Sequence, residues 1–473
     1  MRTLLIMPPE CSSSSIYCVP PYGLLILAAV LRNKGHEVQI EDYFSFGYRN
    51  AMLRNKIEAF QPDIVGISGM VFHHNAMLNI AHETKKIRQN TKVVLGGVHA
   101  STWYERLTKE ECVDAVFIGE AEESFPLYIE SLEQGKNHPT IPGISYSNSE
   151  SLYIGERTYI KDLNSLPFPA WDLCNPQKYQ GTPHGFFYSK RPIATLVTSR
   201  GCPNVCSFCA GHIVSGRKWR AMQPERVAEE MSYLKKDFGV QEVHIQDDNF
   251  SLDYDRVMTI CQLITEKQLN LAISCPNGLH INTLDEAMLR AMKKAGFYNI
   301  AIGIESGSTN IQKKINKKLD LDMVREKISL IRRAGIYITG FFMIGMPYET
   351  EEEVLKTIHY ATSLPINGAT CSMFMPLPGT FEFENLIKSG KLNPVMFDTD
   401  ARGWLEGNPS EYYDFLTTER LKKLQRLFAI RFWCRPRILL KTLYRILYDM
   451  KIVDILRAIK YFFKYTTQIY QKR

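Results

Sequence analysis

The chain has 473 residues, of which 45% are hydrophobic, 11% aromatic and 23% charged. This length exceeds what a single hydrophobic core supports and predicts about three domains. The net charge of +7 is a property of one end, because residues 420–473 hold fifteen Lys and Arg against two Asp and the rest is net acidic. The charge distribution therefore argues against a nucleic-acid-binding role for the main body.

The sequence also bears on location. No run of eighteen apolar residues occurs, so no transmembrane helix is expected. The opening MRTLLIM meets Pro8 and Pro9 without a long apolar stretch or a cleavage site. Eleven scattered cysteines without a secretory signal suit reduced thiols that bind metal or simply pack. We expect a cytoplasmic protein.

The first part alternates short apolar runs with amphipathic segments. Strands are predicted at 2–7, 37–42, 63–70, 92–97 and 114–119, and helices at 23–36, near 50–60, at 75–89 and at 122–135. Val/Ile/Leu-rich strands alternating with helices predict a parallel sheet covered on both faces, here a Rossmann-like domain over residues 1–140. Its ligand should lie at the carboxyl ends of the strands. None of those loops has the G-x-G-x-x-G pattern, which argues against NAD.

A linker is predicted over residues 141–189. Residues 190–385 then show six strands, each but the last followed by a helix, with Gly, Asp, Asn or Pro at their carboxyl ends. This pattern predicts a partial (β/α)6 barrel of the TIM type with its site at the carboxyl-terminal mouth. Residues 386–473 are predicted to form a C-terminal helical, basic region. The fold class is therefore α/β.

Three cysteines share the first strand-to-helix loop of this barrel. The stretch TSRGCPNVCSFCAGH (198–212) holds Cys202, Cys206 and Cys209, spaced by three and then two residues. Incidental packing cysteines would not need this spacing. Zinc is one interpretation, because His212 could complete a Cys3His set. An iron–sulfur cluster is the other, since three thiolates on a cubane leave one iron open.

CPNVCSFC resembles the C-x3-C-x2-C signature of the radical S-adenosylmethionine (SAM) superfamily, including the aromatic residue before the third cysteine. The resemblance implies a [4Fe-4S] cluster on the three cysteines and SAM on the open iron. IGIESG (302–307), GFFMIGMP (340–347) and PLPGT (376–380) resemble further elements in the family's order, whereas QDDNF (246–250) departs from its Gly-Gly-Glu-type element. The SAM contacts implied are Phe208, Asp247, Asp248, Glu305, Ser306, Gly345 and Pro347.

The first domain is similar to the cobalamin-binding domain of one large radical SAM subclass. The similarity lies in DIVGISGM (63–70), VVLGGVHAS (93–101) and DAVFIGEAEESF (114–125). It implies corrinoid contacts at Ser68, Gly69, Gly96, Gly97, His99, Gly119 and Glu120. The D-x-H-x-x-G motif that ligates cobalt in many corrinoid proteins is missing. We therefore expect cobalamin with its own base detached, with His73 and His74 as the nearest replacement ligands.

The resemblance implies a methyltransferase that transfers the methyl group of methylcobalamin to an unactivated carbon after a 5′-deoxyadenosyl radical has removed hydrogen. The alternatives are a non-methylating enzyme of the same architecture (an oxidative cyclase, or one catalysing ring rearrangement or dehydration) and a corrinoid- or metal-binding regulatory protein. A small-molecule or lipid-like substrate and an electron donor such as flavodoxin or ferredoxin are expected. No catalytic acid or base can be named, and Cys275 and Cys371 are explained equally well by packing.

The C-terminal tail has two interpretations. From Arg431 onward, apolar residues recur at helical spacing with basic residues between them. Such a helix could cap the barrel with a solvated basic face. It could also lie on an anionic membrane, as basic amphipathic helices do.

Overall fold

The computed structural model describes residues 1–9, 18–136, 139–147, 152–179, 188–393, 412–436 and 438–440. Its first sheet has seven strands in the order β2-β1-β3-β4-β5-β6-β7, and β1 to β5 are parallel. The strands are β1 (Arg2–Met7), β2 (Glu37–Asp42), β3 (Ile64–Ser68), β4 (Lys92–Gly96), β5 (Ala115–Phe117), β6 (Ile144–Ser147) and β7 (Leu152–Ile154).

Helices cover this sheet, which confirms the predicted Rossmann-like domain. They are α1 (Tyr22–Asn33), α2 (Tyr43–Phe46), α3 (Asn50–Phe60), α4 (His74–Ile87), α5 (Gly97–Leu107) and α6 (Ser124–Glu133). Helix α5 was not predicted. Two parallel neighbouring strands need a crossover connection, and α5 supplies the one between β4 and β5.

The residues predicted as a linker include two strands. Strands β6 and β7 form an antiparallel hairpin that extends the first sheet beside β5. The chain then runs without long helices through residues 155–179, where Trp171 is fully buried and packs edge-on against Tyr22. This segment therefore belongs to the hydrophobic core that both halves of the protein share.

The second sheet has six parallel strands in the order β15-β14-β13-β12-β11-β8. They are β8 (Ile193–Leu196), β11 (Glu242–Ile245), β12 (Ala272–Leu279), β13 (Phe297–Glu305), β14 (Tyr337–Ile344) and β15 (Gly368–Met373). Strands β8 and β15 are the two edges, so the barrel is open and the predicted partial barrel is confirmed. A small antiparallel ribbon, β9 (Ser199–Arg200) with β10 (Arg220–Ala221), follows β8.

One or two helices follow each strand of the second sheet. They are α7 (His212–Ser215), α8 (Pro224–Phe238), α9 (Tyr254–Glu266), α10 (Glu286–Ala295), α11 (Thr309–Lys314), α12 (Leu321–Arg333), α13 (Glu351–Ser363) and α14 (Phe381–Lys388). Several begin with a capping side chain, such as Asp285 at α10 and Thr350 at α13.

Helix α15 (Thr418–Trp433) closes the barrel edge. It packs against β15 and α13 and buries Leu421, Leu424, Phe428 and Phe432. The start of the predicted tail is thus a barrel cap, whereas residues 441–473, which hold most of the predicted amphipathic helix, lie outside the described residues. Within the part of the chain that the structure describes, no helix is long and apolar enough to cross a membrane.

Candidate active site

The cysteine loop lies at the carboxyl end of β8, between the two strands of the β9–β10 ribbon. Cys209 is exposed, Cys202 and Cys206 are partly exposed, and none of the three is in a disulfide. The segment after α11 holds the loop from one side, because Ser207 N donates to the Ile315 carbonyl at 3.0 Å. Glu382 holds it from another side by accepting from Ser207 Oγ at 2.7 Å.

A partly buried lysine faces these cysteines. Lys317 pairs with Glu305, with 3.1 Å between Nζ and Oε1. Burial alone would lower the pKa of Lys317, but Glu305 and then Cys206 and Cys209 raise it above its usual value. Burial raises the pKa of Cys206, and the Lys317 charge opposes that rise. Sequence reasoning missed Lys317, which stands in the run KKINKK and resembles its exposed neighbours there.

Cys202, Cys206, Cys209 and His212 are the side chains that the sequence offered as metal ligands. No three His, Cys, Asp or Glu side chains of the described residues converge on one ion position. The His212 ring donates from Nδ1 to the Cys209 carbonyl at 3.0 Å. Each cysteine of a cubane binds a different iron, so the thiolates need not converge on a single point. The three-thiol donor set therefore fits a [4Fe-4S] cluster.

The two acidic residues after β11 have different surroundings. The Asp247 carboxylate accepts from Thr198 N, Thr198 Oγ1 and Ser199 Oγ, each at 2.6 Å, and Asp247 is buried. Asp248 is exposed and accepts from Gly201 N at 3.1 Å. Asp247 thus orients the turn that precedes the cysteines from beneath, and only Asp248 presents its carboxylate at the loop surface.

The end of β13 places Glu305 beside Lys317. Glu305 has a φ of 66°, in the left-handed region, and a Cβ on Gly303 would lie 2.6 Å from Glu305 Oε1. Glycine at 303 therefore makes room for the ion pair. Ser306 is buried, and its hydroxyl pairs with Thr357 Oγ1 at 3.0 Å. The Ser306 side chain supports the turn from inside the fold.

The loop after β14 is held by a buried carboxylate. Glu349 accepts from the backbone N–H of Gly345 at 2.6 Å and of Met346 at 3.2 Å, and burial raises its pKa to about 7. The carbonyl of Pro347 accepts from Asp414 N at 2.7 Å. A Cβ on Gly345 would lie 2.9 Å from Leu421, so α15 covers this loop closely.

A cavity opens at the carboxyl ends of β1, β3, β4 and β5. It has a volume of about 240 Å³ and opens to solvent. Ser68, Gly96, Gly97, Gly119 and Glu120 line it, whereas Gly69 and His99 do not. A Cβ on Gly96 would meet nothing within 4 Å, so the backbone there is open to close approach. This glycine-rich rim therefore lets a flat ligand such as the corrin of cobalamin lie against the backbone at the cavity mouth.

Three histidines lie behind the glycine loops. His99 Nε2 and His74 Nδ1 are 2.9 Å apart, and His73 Nδ1 accepts from Met70 N at 3.2 Å. Burial lowers the pKa of His99 to about 3 and that of His73 to about 4. All three lie outside the cavity lining, so a replacement cobalt ligand from His73 or His74 stays a prediction.

A parallel sheet with a ligand cavity, joined to a partial barrel with a three-thiol loop, defines a two-cofactor α/β enzyme. Sequence profiles match both halves: that of the B12 binding domain covers residues 13–129 and that of the radical SAM superfamily covers residues 196–361.

An uncharacterized methyltransferase of Pyrococcus horikoshii is 33% identical over 94% of this chain and 95% of its own. The cytidylyl-2-hydroxyethylphosphonate methyltransferase of Streptomyces wedmorensis is 30% identical over 80% and 79%. Relatives at lower identity include anaerobic magnesium-protoporphyrin IX monomethyl ester cyclases. The fold matches that of OxsB, a cobalamin-dependent SAM radical enzyme, with a TM-score of 0.73 over 99% of this chain and 75% of that one at 16% identity.

The chain belongs to the cobalamin-dependent radical SAM enzymes and, within them, to the methyltransferase group. Its cofactors are a [4Fe-4S] cluster, SAM and cobalamin.

Proposed function

We propose that this protein methylates an unactivated carbon of a small-molecule substrate held between its two halves. One observation carries the proposal. The cavity of the first domain is also lined by Val197, Arg200, Val214 and Ser215, which flank the cysteine loop of the barrel. The interface between the two halves thus borders both cofactor sites. When cofactors carry the chemistry, the main contribution of the protein is to hold them close together.

When bound, the cluster with SAM supplies a hydrogen-abstracting radical, and methylcobalamin supplies the methyl group. We propose that Cys202, Cys206 and Cys209 hold the cluster. SAM would be contacted by Phe208, Asp248 and Glu305 and by the backbone at Gly345 and Pro347, with Asp247 and Ser306 supporting these loops from beneath. The corrinoid would contact Ser68, Gly96, Gly97 and Gly119, with Gly69 and His99 shaping the loop behind them.

We propose that the nucleotide base of the corrinoid is detached and lies against the apolar part of the cavity lining. Leu5, Leu24, Phe117 and Phe125 belong to this part. A Cβ on Gly66 would lie 3.0 Å from Leu5 and 3.5 Å from Phe125, so glycine lets these side chains pack closely there. A flat aromatic base suits such an apolar surface. We propose domain boundaries close to 1–154 for the cobalamin-binding half and 190–385 for the barrel.

Anaerobic purification and reconstitution test the proposal. We expect iron, sulfide and cobalamin in the wild-type protein, and 5′-deoxyadenosine together with S-adenosylhomocysteine on reduction with SAM and a methyl acceptor. The Cys202→Ala, Cys206→Ala and Cys209→Ala variants should lose iron and keep cobalamin. Cys434, an exposed cysteine on the C-terminal segment, supplies the matched control C434A. Zinc without cobalt in the wild type would contradict the proposal.

A second candidate is a non-methylating radical reaction, which the cyclase names among the relatives favour. Formation of 5′-deoxyadenosine without S-adenosylhomocysteine would identify it. A corrinoid-binding regulator would bind cobalamin and leave SAM intact.

We further propose a flavodoxin- or ferredoxin-type electron donor and a hydrophobic or lipid-like substrate. The support for the second is the basic tail, with eight Lys and Arg in residues 441–473. Because α15 is part of the barrel, the test removes only residues 441–473. We expect this truncation to keep its cofactors and to lose binding to anionic liposomes, and unchanged liposome binding would end the membrane hypothesis.

A further inference from the structure

Two arginines face each other across the β9–β10 ribbon. Arg200 and Arg220 are register partners in this antiparallel pair. Like charges directly opposite each other destabilise a β-pair. The ribbon encloses the cysteine loop, so its two strands must nevertheless pair for that loop to be closed. The compensating charges come from the other half of the protein.

Glu120 and Glu122, just after β5 of the first sheet, pair with these arginines. Arg220 binds Glu120 through two hydrogen bonds, at 2.7 and 2.9 Å. Arg200 Nη2 is 2.6 Å from Glu122 Oε1, and Arg200 Nη1 is 3.5 Å from Glu120 Oε1. All four side chains are at most 10% exposed. The four residues form a buried charged cluster, which we call the interdomain clamp.

The clamp leaves no carboxylate oxygen of Glu120 for a ligand. Glu120 Oε1 accepts from Arg220 and forms an ion pair with Arg200. Glu120 Oε2 accepts from Arg220 and, at 2.7 Å, from Ile160 N. Arg220 also donates to the carbonyls of Ile160 and Ser215, at 2.6 and 2.7 Å. Burial would raise the pKa of Glu122, but the Arg200 charge outweighs it and holds that pKa below its usual value. The Glu122 carboxylate is therefore ionised at neutral pH.

The clamp touches both cofactor sites of the proposed function, on which this inference rests. Glu120 follows Gly119 of the cavity lining, and Arg200 stands two residues before Cys202. We propose that Glu120 and Glu122 are positioning residues that lock the cysteine loop against the cobalamin cavity and so set the separation of the two cofactors. Glu120 lines the cavity, but its carboxylate oxygens accept from Arg220 and Ile160 N, so it acts through the arginines.

A charged clamp fixes the relative position of two surfaces better than apolar packing does. Apolar contact is non-directional and tolerates sliding of one surface over another. A bidentate arginine–carboxylate pair fixes both distance and orientation. Misplacement of reacting groups by about 1 Å can cost roughly a hundredfold in rate, so a fixed separation matters for two cofactors that act on one substrate.

Glu120→Gln, Glu122→Gln and the double variant test the clamp, with Asp172→Asn as the matched control. Arg32 Nη1 lies 2.8 Å from Asp172 Oδ2. This ion pair also joins distant parts of the chain, but it is on the protein surface. Hydrogen–deuterium exchange of the apoprotein would follow residues 199–221. In the reconstituted protein, electron paramagnetic resonance would measure the magnetic coupling between cob(II)alamin and the reduced cluster.

We expect each clamp variant to bind cobalamin and iron at wild-type stoichiometry. Exchange at 199–221 should be at least tenfold faster in the double variant, and its cofactor coupling should become weaker or broader, whereas D172N should match the wild type. Arg220→Lys, which keeps the charge without the fork, should fall between them. This variant also keeps the proposal testable if the double variant does not fold.

If the double variant shows the same hydrogen exchange at 199–221 and the same cofactor coupling as the wild type, the proposal is overturned. Loss of cobalamin from E120Q with unchanged exchange would make Glu120 a corrinoid contact and overturn it too. Failure of the wild type to bind cobalamin would instead contradict the proposed function. The exchange experiment, which uses the apoprotein, would still decide whether the clamp holds the loop.

Discussion

Gly97 offers the sharpest test of the cobalamin loop. Its φ is +87°, where an alanine is strained by about 1–2 kcal/mol. A Cβ there would also lie 2.8 Å from the Gly69 carbonyl oxygen and 2.8 Å from Ser68 Oγ. The clash involves backbone at the end of β3, so a rotamer change cannot relieve it.

The expected loss of stability in Gly97→Ala follows from the backbone hydrogen bonds of Gly69. Gly69 N donates to the Gly96 carbonyl at 3.2 Å, and His99 N donates to the Gly69 carbonyl at 3.2 Å. Moving Gly69 away from the new methyl group weakens both bonds, each worth about 1 kcal/mol. Together with the strain, Gly97→Ala should destabilise the first domain by roughly 2–4 kcal/mol.

Gly96→Ala is the matched control. Gly96 has an extended φ of −148° and open space around its missing Cβ. An alanine there should leave stability within about 0.5 kcal/mol. Because Gly96 lines the cavity, its new methyl group should instead weaken cobalamin binding.

Urea unfolding of the apoprotein and spectroscopic titration with cobalamin separate the two effects. We expect G97A to lower the midpoint of the first-domain transition, and G96A to lower cobalamin affinity at an unchanged midpoint. A G97A variant as stable as the wild type would refute the structural reasoning. Equal affinity of G96A and the wild type would remove Gly96 from the corrinoid contacts.

Three further predictions concern the barrel. Asp247→Asn should destabilise the protein by about 1–3 kcal/mol in chemical unfolding and reduce iron retention, because the amide cannot accept all three hydrogen bonds that hold the turn before the cysteines; an unaffected variant would contradict this role. His212→Ala should keep its full iron content by metal analysis, whereas loss of metal would revive the zinc interpretation. Burial raises the pKa of Glu230 to about 7 from a usual value of 4.5, so the folded state keeps this proton more tightly than the unfolded chain and loses stability as pH rises between these two values. Glu230→Gln should therefore match the wild type near pH 4 and be more stable by up to about 3 kcal/mol at pH 8 in pH-resolved thermal unfolding; equal stability at both pH values would contradict the pKa argument.

The sequence predicted both sheets because parallel strands buried on two faces leave strong apolar runs. It missed helix α5, whose start at Gly97 follows a Gly-Gly pair that resembles a loop. It also could not separate Asp247 from Asp248, since neighbouring carboxylates differ only in which side of the strand end they face. Lys317 was missed for a similar reason: burial of one lysine among several depends on where the turn after α11 directs it.

The hairpin and the segment after it lie in the stretch that the sequence predicted as a linker. Residues 155–160 supply polar contacts rather than an apolar pattern, so no periodicity marks them. Arg157 donates to the carbonyls of Ile213 and Ser101, at 2.7 and 3.2 Å, and thereby joins α7 of the barrel to α5 of the first domain. A Cβ on Gly216 would lie 2.9 Å from the Tyr159 ring. With the Glu120–Arg220 pair beside them, these contacts make the segment a third component of the boundary. We therefore expect the separation of the two cofactors to depend on residues 155–160, on the segment with Glu120 and on the β9–β10 ribbon. A substitution in any of the three should affect both cofactor sites.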